Sequence, residues 1–194
     1  VVVGDEAGTA LTTGDNNVAV GFEALKTEDA NGDNVAVGYQ ALKTLNAGAD
    51  AFNTAVGYLA ATAMTTGLEN AIFGSFAGDA LTDADFNVAV GEQALGNDTL
   101  GSRATAIGQG ALFNQNFTTA TDNYNVAVGY FAGLSVTTGT QNTIVGGLAG
   151  DALTTGSQNV AIGYDALGSE DTSSFNVAIG REALKTQNGG EYNI

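Results

Sequence analysis

The chain predicts an all-β fold: a parallel β-solenoid (β-roll) of about eleven 17-residue coils. Three observations carry this. A nine-residue phrase recurs as Asn17-Val-Ala-Val-Gly-Phe-Glu-Ala-Leu25, Asn34-Val-Ala-Val-Gly-Tyr-Gln-Ala-Leu42, Asn159-Val-Ala-Ile-Gly-Tyr-Asp-Ala-Leu167 and Asn176-Val-Ala-Ile-Gly-Arg-Glu-Ala-Leu184, with weaker copies between. The glycine closing its apolar triplet falls at 4, 21, 38, 57, 74, 91, 108, 129, 146, 163 and 180, a metre of 17 broken only by one spacing of 19 and one of 21. The composition holds 28 Gly and no Pro, and β-branched residues cluster, so no apolar stripe of helical period runs for three turns.

Within a coil the order is strand, glycine, second short strand, turn. Val18-Ala19-Val20 alternates large, small, large, as a strand does. Gly21 serves a positive φ or a close backbone approach. Residues 22–25 read as a second alternating piece. Turn chemistry follows, as in Thr12-Thr13-Gly14-Asp15 and Asn31-Gly32-Asp33. A second rhythm overlies the first. The coils at Gly4, Gly74 and Gly146 share the tails Ala7-Gly8-Thr9-Ala10-Leu11, Ala77-Gly78-Asp79-Ala80-Leu81 and Ala149-Gly150-Asp151-Ala152-Leu153. The two long spacings place insertions in loops 44–52 and 114–124. Residues 1–194 thus read as one array without a second domain, a segment of a longer fibre protein.

A single coil cannot stand alone. It offers about three large side chains, each giving roughly 1.5–3 kcal/mol on burial. Ordering its backbone costs roughly 1–2 kcal/mol per residue. Only stacking on neighbours, each strand bonded above and below at ~4.8 Å, reverses that balance.

Two columns stand out. Asn17, Asn34, Asn53, Asn70, Asn87, Asn125, Asn142, Asn159 and Asn176 occupy one position, interrupted by Ala104, and are expected to form a structural ladder from coil to coil. The middle of the triplet is Ala19, Ala36, Ala55, Ala89, Ala106, Ala127, Ala161 and Ala178. If Val18 and Val20 point inward, these alanines form a smooth outward strip for self-association. In the opposite phase alanine fills a narrow interior and the valines form the interface. Either way an apolar face is left for a partner.

The net charge is −16, which argues against nucleic acid and anionic membrane as partners. No apolar run approaches the ~18 residues of a membrane span. With no His and no Cys, His-based acid–base catalysis and Cys or His metal sites are excluded. Asp15, Asp33, Glu69, Asp79, Asp85, Asp122 and Asp151 fall in turns, where acids cap and solubilise, and nothing singles out a pair. We therefore expect no catalytic residues, no enzyme activity and no cofactor. Calcium is the best metal candidate, with Asn31-Gly32-Asp33-Asn34 and Asp15-Asn16-Asn17 as fragments, neither a full ligand set. Phe22, Tyr39, Tyr58, Tyr130 and Tyr164 follow the key glycine, and Phe52, Phe86, Tyr124, Phe175 and Tyr192 precede the asparagine position. They are expected to stack and shield corners, with sugar binding the alternative. Lys26, Lys43 and Lys185 are expected to be solvated rim charges.

Through N-V-A-V-G and N-V-A-I-G the chain resembles the N-S-V-A-I-G head repeats of YadA-like trimeric autotransporter adhesins. Through G-Y-x-A-L followed by T-T-G-x-x-N it resembles phage tail fibre repeats and large marine bacterial surface proteins. The likeness spans essentially the whole chain, although the coil is longer than the adhesin repeat and the family serine is replaced at Val18, Thr54 and Ala71. It implies a left-handed roll, a homotrimer, and an extracellular place on a virion tail fibre or a bacterial cell surface. The function it implies is spacing and attachment to a cell-surface glycan or protein receptor. The alternative is a monomeric solenoid module that binds glycan, or ice through threonine rows.

Overall fold

The computed structural model describes residues 1–194 except 170, 187 and 188. It is an all-β parallel solenoid. Eleven strands lie one above the next in chain order: Val2–Val3, Val18–Val20, Val35–Val37, Thr54–Val56, Ala71–Phe73, Val88–Val90, Thr105–Ile107, Val126–Val128, Thr143–Val145, Val160–Ile162 and Val177–Ile179. Every neighbouring pair is parallel and in repeat register, so Ala19 sits beside Ala36 and Ala161 beside Ala178. A small second sheet pairs Gly101–Ser102 with Thr121–Asp122, where the longer insertion returns.

At Gly21 the positive φ and the close backbone approach are both present. Gly21 has φ +133°, and a Cβ placed on it would lie 2.3 Å from the carbonyl oxygen of Gly38. No L side chain fits there.

The second strand expected at residues 22–25 is absent. This piece is a turn, because Gly21, Glu23 and Leu25 take φ of +133°, +53° and +49°, with ordinary residues between them. Left-handed residues at every second position curl the chain round the corner that a strand would overshoot. Each non-glycine residue there costs on the order of 1 kcal/mol. Bonds to both neighbouring coils offset that strain: Glu23 N–H donates to the Asp5 carbonyl and Leu25 N–H to the Ala41 carbonyl, both at 3.0 Å.

The alternation of the strand has the opposite phase from the outward alanine strip. Ala19, Ala36, Ala55, Ala89, Ala106, Ala127, Ala161 and Ala178 are all 0 or 1% exposed, so they line the interior and cannot carry self-association. The reason is geometric. A three-residue strand turns only its middle side chain inward, and its two flanking side chains share the outer face. The interior is narrow. Alanine fits it beside the buried Ala24 and Leu25 columns, and a valine pair would overfill it.

Candidate interaction surface

Because the middle residue is buried, the outer face carries the large side chains. Its first column includes Val18, Val35 and Val88, each partly buried. Its second includes Val90, Ile107, Ile162 and Ile179, exposed at 36, 38, 36 and 66%. The result is a flat strip, two side chains wide, aliphatic or threonine from end to end apart from Ala71 and Phe73. At ~4.8 Å per coil its length is roughly 50 Å.

Beside this strip the asparagines hold coils together. The Oδ1 of Asn17 accepts the Asn34 N–H at 3.0 Å, that of Asn70 the Asn87 N–H at 2.9 Å, and that of Asn159 the Asn176 N–H at 2.9 Å. The Nδ2 group donates into the next coil's turn, from Asn53 to the Gly67 carbonyl at 2.7 Å and from Asn142 to Gly156 at 2.9 Å. Each amide thus bridges strand and turn of its neighbour, mostly through backbone groups and less often amide to amide. Asn125 joins the same column, donating to Gly139 at 2.7 Å. These side chains are buried, so the column offers no accessible row for a ligand.

At Ala104 the amide is missing, and other side chains take over. Asn125 N–H donates to Asn123 Oδ1 at 2.9 Å, and Asn125 Nδ2 donates to Gln115 Oε1 at 2.8 Å. Gln115 Nε2 donates to Asp98 Oδ2 at 2.6 Å, while Asp98 Oδ1 accepts the N–H groups of Gly101 and Phe117. Asp98, Gln115, Asn123 and Asn125 are all fully buried. Sequence reading missed this network. Its signal was present: the place held by Leu45, Met64, Leu81 and Leu153 in other coils is held by Asp98 and Gln115 here.

The aromatic rows stack in part. Phe22 and Tyr39 lie 5.3 Å apart at 16°, Tyr39 and Tyr58 5.1 Å apart at 13°, and Phe175 and Tyr192 4.9 Å apart at 1°. In these three pairs the faces are turned to one another, whereas Tyr58 meets Phe76 edge-on and Tyr130 tilts against Phe131. Arg103 lies 4.4 Å above the Phe86 ring and pairs with Asp122.

The lysines are more engaged than solvated rim charges. Lys26 and Lys43 both pair with Glu23, at 2.7 and 2.6 Å, and Lys185 pairs with Asp165 at 2.6 Å. The Lys26 ammonium, followed by that of Lys43, pulls the Glu23 carboxyl down to about 2.

Threonine hydroxyls point into the stack. Thr12, Thr82 and Thr154 donate to the carbonyls of Asp29, Thr99 and Asp171 in the next coil. Turn acids do likewise as acceptors: Asp33 takes Asn16 Nδ2 at 3.1 Å and Asp50 takes the Gly32 N–H at 3.0 Å. Among the described residues no three His, Cys, Asp or Glu side chains converge as a metal site would need, and no cleft opens between coils. No helix among them is long and apolar enough to cross a membrane. No family model, characterised protein or solved structure matches the chain.

Proposed function

We propose that this chain is a structural and adhesive segment of an extracellular fibre, in which copies associate side by side through their outer strand faces as a homotrimer of left-handed rolls. Its task is to hold a rigid spacing and to present its outer corners to a cell-surface glycan or protein. The observation that carries the reading is the strip of Val, Ile and Thr side chains that runs the length of the sheet on its outer face, a third or more exposed at Val90, Ile107, Ile162 and Ile179. A solitary rod would leave the outer part of that strip in water, and covering what remains exposed of each valine gains a fraction of the roughly 1.5–3 kcal/mol of full burial, summed over the coils. The likeness of the N-V-A-V-G phrases to trimeric adhesin heads and tail fibre repeats points the same way.

The monomeric glycan- or ice-binding module draws less support. The stacked rings turn their faces to each other, and the threonine hydroxyls named above are spent on carbonyls. Light scattering of the purified chain tests the reading. The expected mass is three times the 19.4 kDa of one chain, and a well-folded species at 19.4 kDa would end it.

A further inference from the structure

A repeating face has a register problem. Slide one rod along another by one coil, and nearly the same side chains meet again. At the first strand position every three-residue strand carries Val or Thr except one, where the residue is Ala71. At the third position every one carries Val or Ile except the same strand, where the residue is Phe73. Both point outward, and Phe73 is 40% exposed. One strand therefore bears both a hollow, where both valine methyls are missing, and a ring that overfills its place.

We propose that Ala71 and Phe73 form a register key between copies of this chain, the Phe73 ring of one seating over Ala71 of its neighbour at the same level. The inference rests on the side-by-side association proposed above and adds its geometry. Any rotation about an axis along the rod keeps each coil level with its counterpart, so the two exceptional side chains meet only when rods run parallel and unshifted. A slip of one coil would press Phe73 against Thr54 or Val88 and leave Ala71 facing Val56 or Val90 across a void. Overpacking and cavity then arise in one move. The remaining strands supply affinity without position, and this strand supplies position.

Cysteine cross-linking reads this directly, since the chain contains no cysteine. Two differently tagged chains are co-expressed, one carrying Ala71→Cys and one Phe73→Cys, and oxidised. A disulfide needs Cα atoms within about 7 Å. The expected result is a mixed-tag covalent pair. Ala71→Cys co-expressed with Ile107→Cys, two coils and ~10 Å away along the rod, gives none. A second arm measures association by light scattering. The swapped chain Ala71→Phe/Phe73→Ala keeps one ring and one hollow per level and associates as the parent does, whereas Ala71→Phe alone crowds two rings together and dissociates at least tenfold more readily. If the parent associates but the two pairings cross-link equally, or if Ala71→Phe associates unchanged, the key is wrong while the association stands. A parent chain found as a monomer removes both.

Discussion

The coils at Gly21 and Gly74 follow one backbone path and fill it differently. The Gly21 coil places Ala19 at mid-strand, Leu25 at the corner and Glu28 beyond it, and all three are fully buried. The Gly74 coil places Ile72 at mid-strand, Gly78 at the corner and Leu81 beyond it. The corner φ is +49° at Leu25 and +51° at Gly78, so the corner does not change shape. A Cβ on Gly78 would stand 2.8 Å from Leu81 Cδ1 and 3.3 Å from Ile72 Cδ1. The volume that Leu25 supplies in one coil is supplied by Ile72 and Leu81 in the other. The glycine and alanine columns fix the path, and the larger side chains are free to trade places inside it.

The largest effect should come from what the two coils share. Gly21→Ala and Gly74→Ala would each bring a methyl to 2.3 and 2.4 Å from the next glycine's carbonyl oxygen, at φ +133° and +139°. Each should cost more than about 4 kcal/mol in chemical denaturation, regardless of coil type. A difference of more than about 2 kcal/mol between them would break the claim of a common path.

The next effect comes from what they trade. Ile72→Ala should cost about 2–5 kcal/mol by leaving a cavity, and Gly78→Leu about 1–3 kcal/mol by overpacking. Together they give the Gly74 coil the set that the Gly38 coil carries as Ala36, Leu42 and Leu45. The double variant should be more stable than either single one, with a coupling of at least about 1 kcal/mol in a double-mutant cycle. Simple additivity would contradict the trade.

The smallest effect lies at the outer corner, where Glu23 and Lys26 in one coil correspond to Phe76 and Asp79 in the other. Glu23 is held at about 2 by its lysines, below its ordinary 4.5. Its contribution to stability is present above the ordinary value and is lost as pH falls towards 2. Asp79 is shifted upward by burial, so its contribution has the other sign: present at low pH and lost as pH rises through its raised value. In melting curves, Glu23→Gln should flatten the loss of stability between pH 5 and 2, and Asp79→Asn should help slightly at pH 7. Like-signed changes would show that the two corners do not differ in this way.

Much of this architecture can be read from the residues. The metre, the parallel register and a glycine at 21 for a positive φ or a close approach follow from repetition. The phase of the strand does not. Val18-Ala19-Val20 alternates equally well with either set inside, and only the width of the interior and the three-residue length decide. That choice governs the candidate surface, and it moves from the alanines to the valines. Residues 22–25 mislead for a related reason: left-handed residues at alternate positions leave the same polar and apolar alternation as a strand. The Asp98–Gln115–Asn125 chain is non-local, joining three coils, so no window of sequence contains it.

The central claim is that the valine side of the strand faces outward and that copies of the chain cover it. The most direct measurement is the mass of Val90→Lys/Ile107→Lys by light scattering beside that of the parent. The account predicts a parent at a multiple of 19.4 kDa and a variant that keeps its strand signal but falls to one chain. A variant that retains the parent's multiple, or a folded parent that never exceeds one chain, would contradict it.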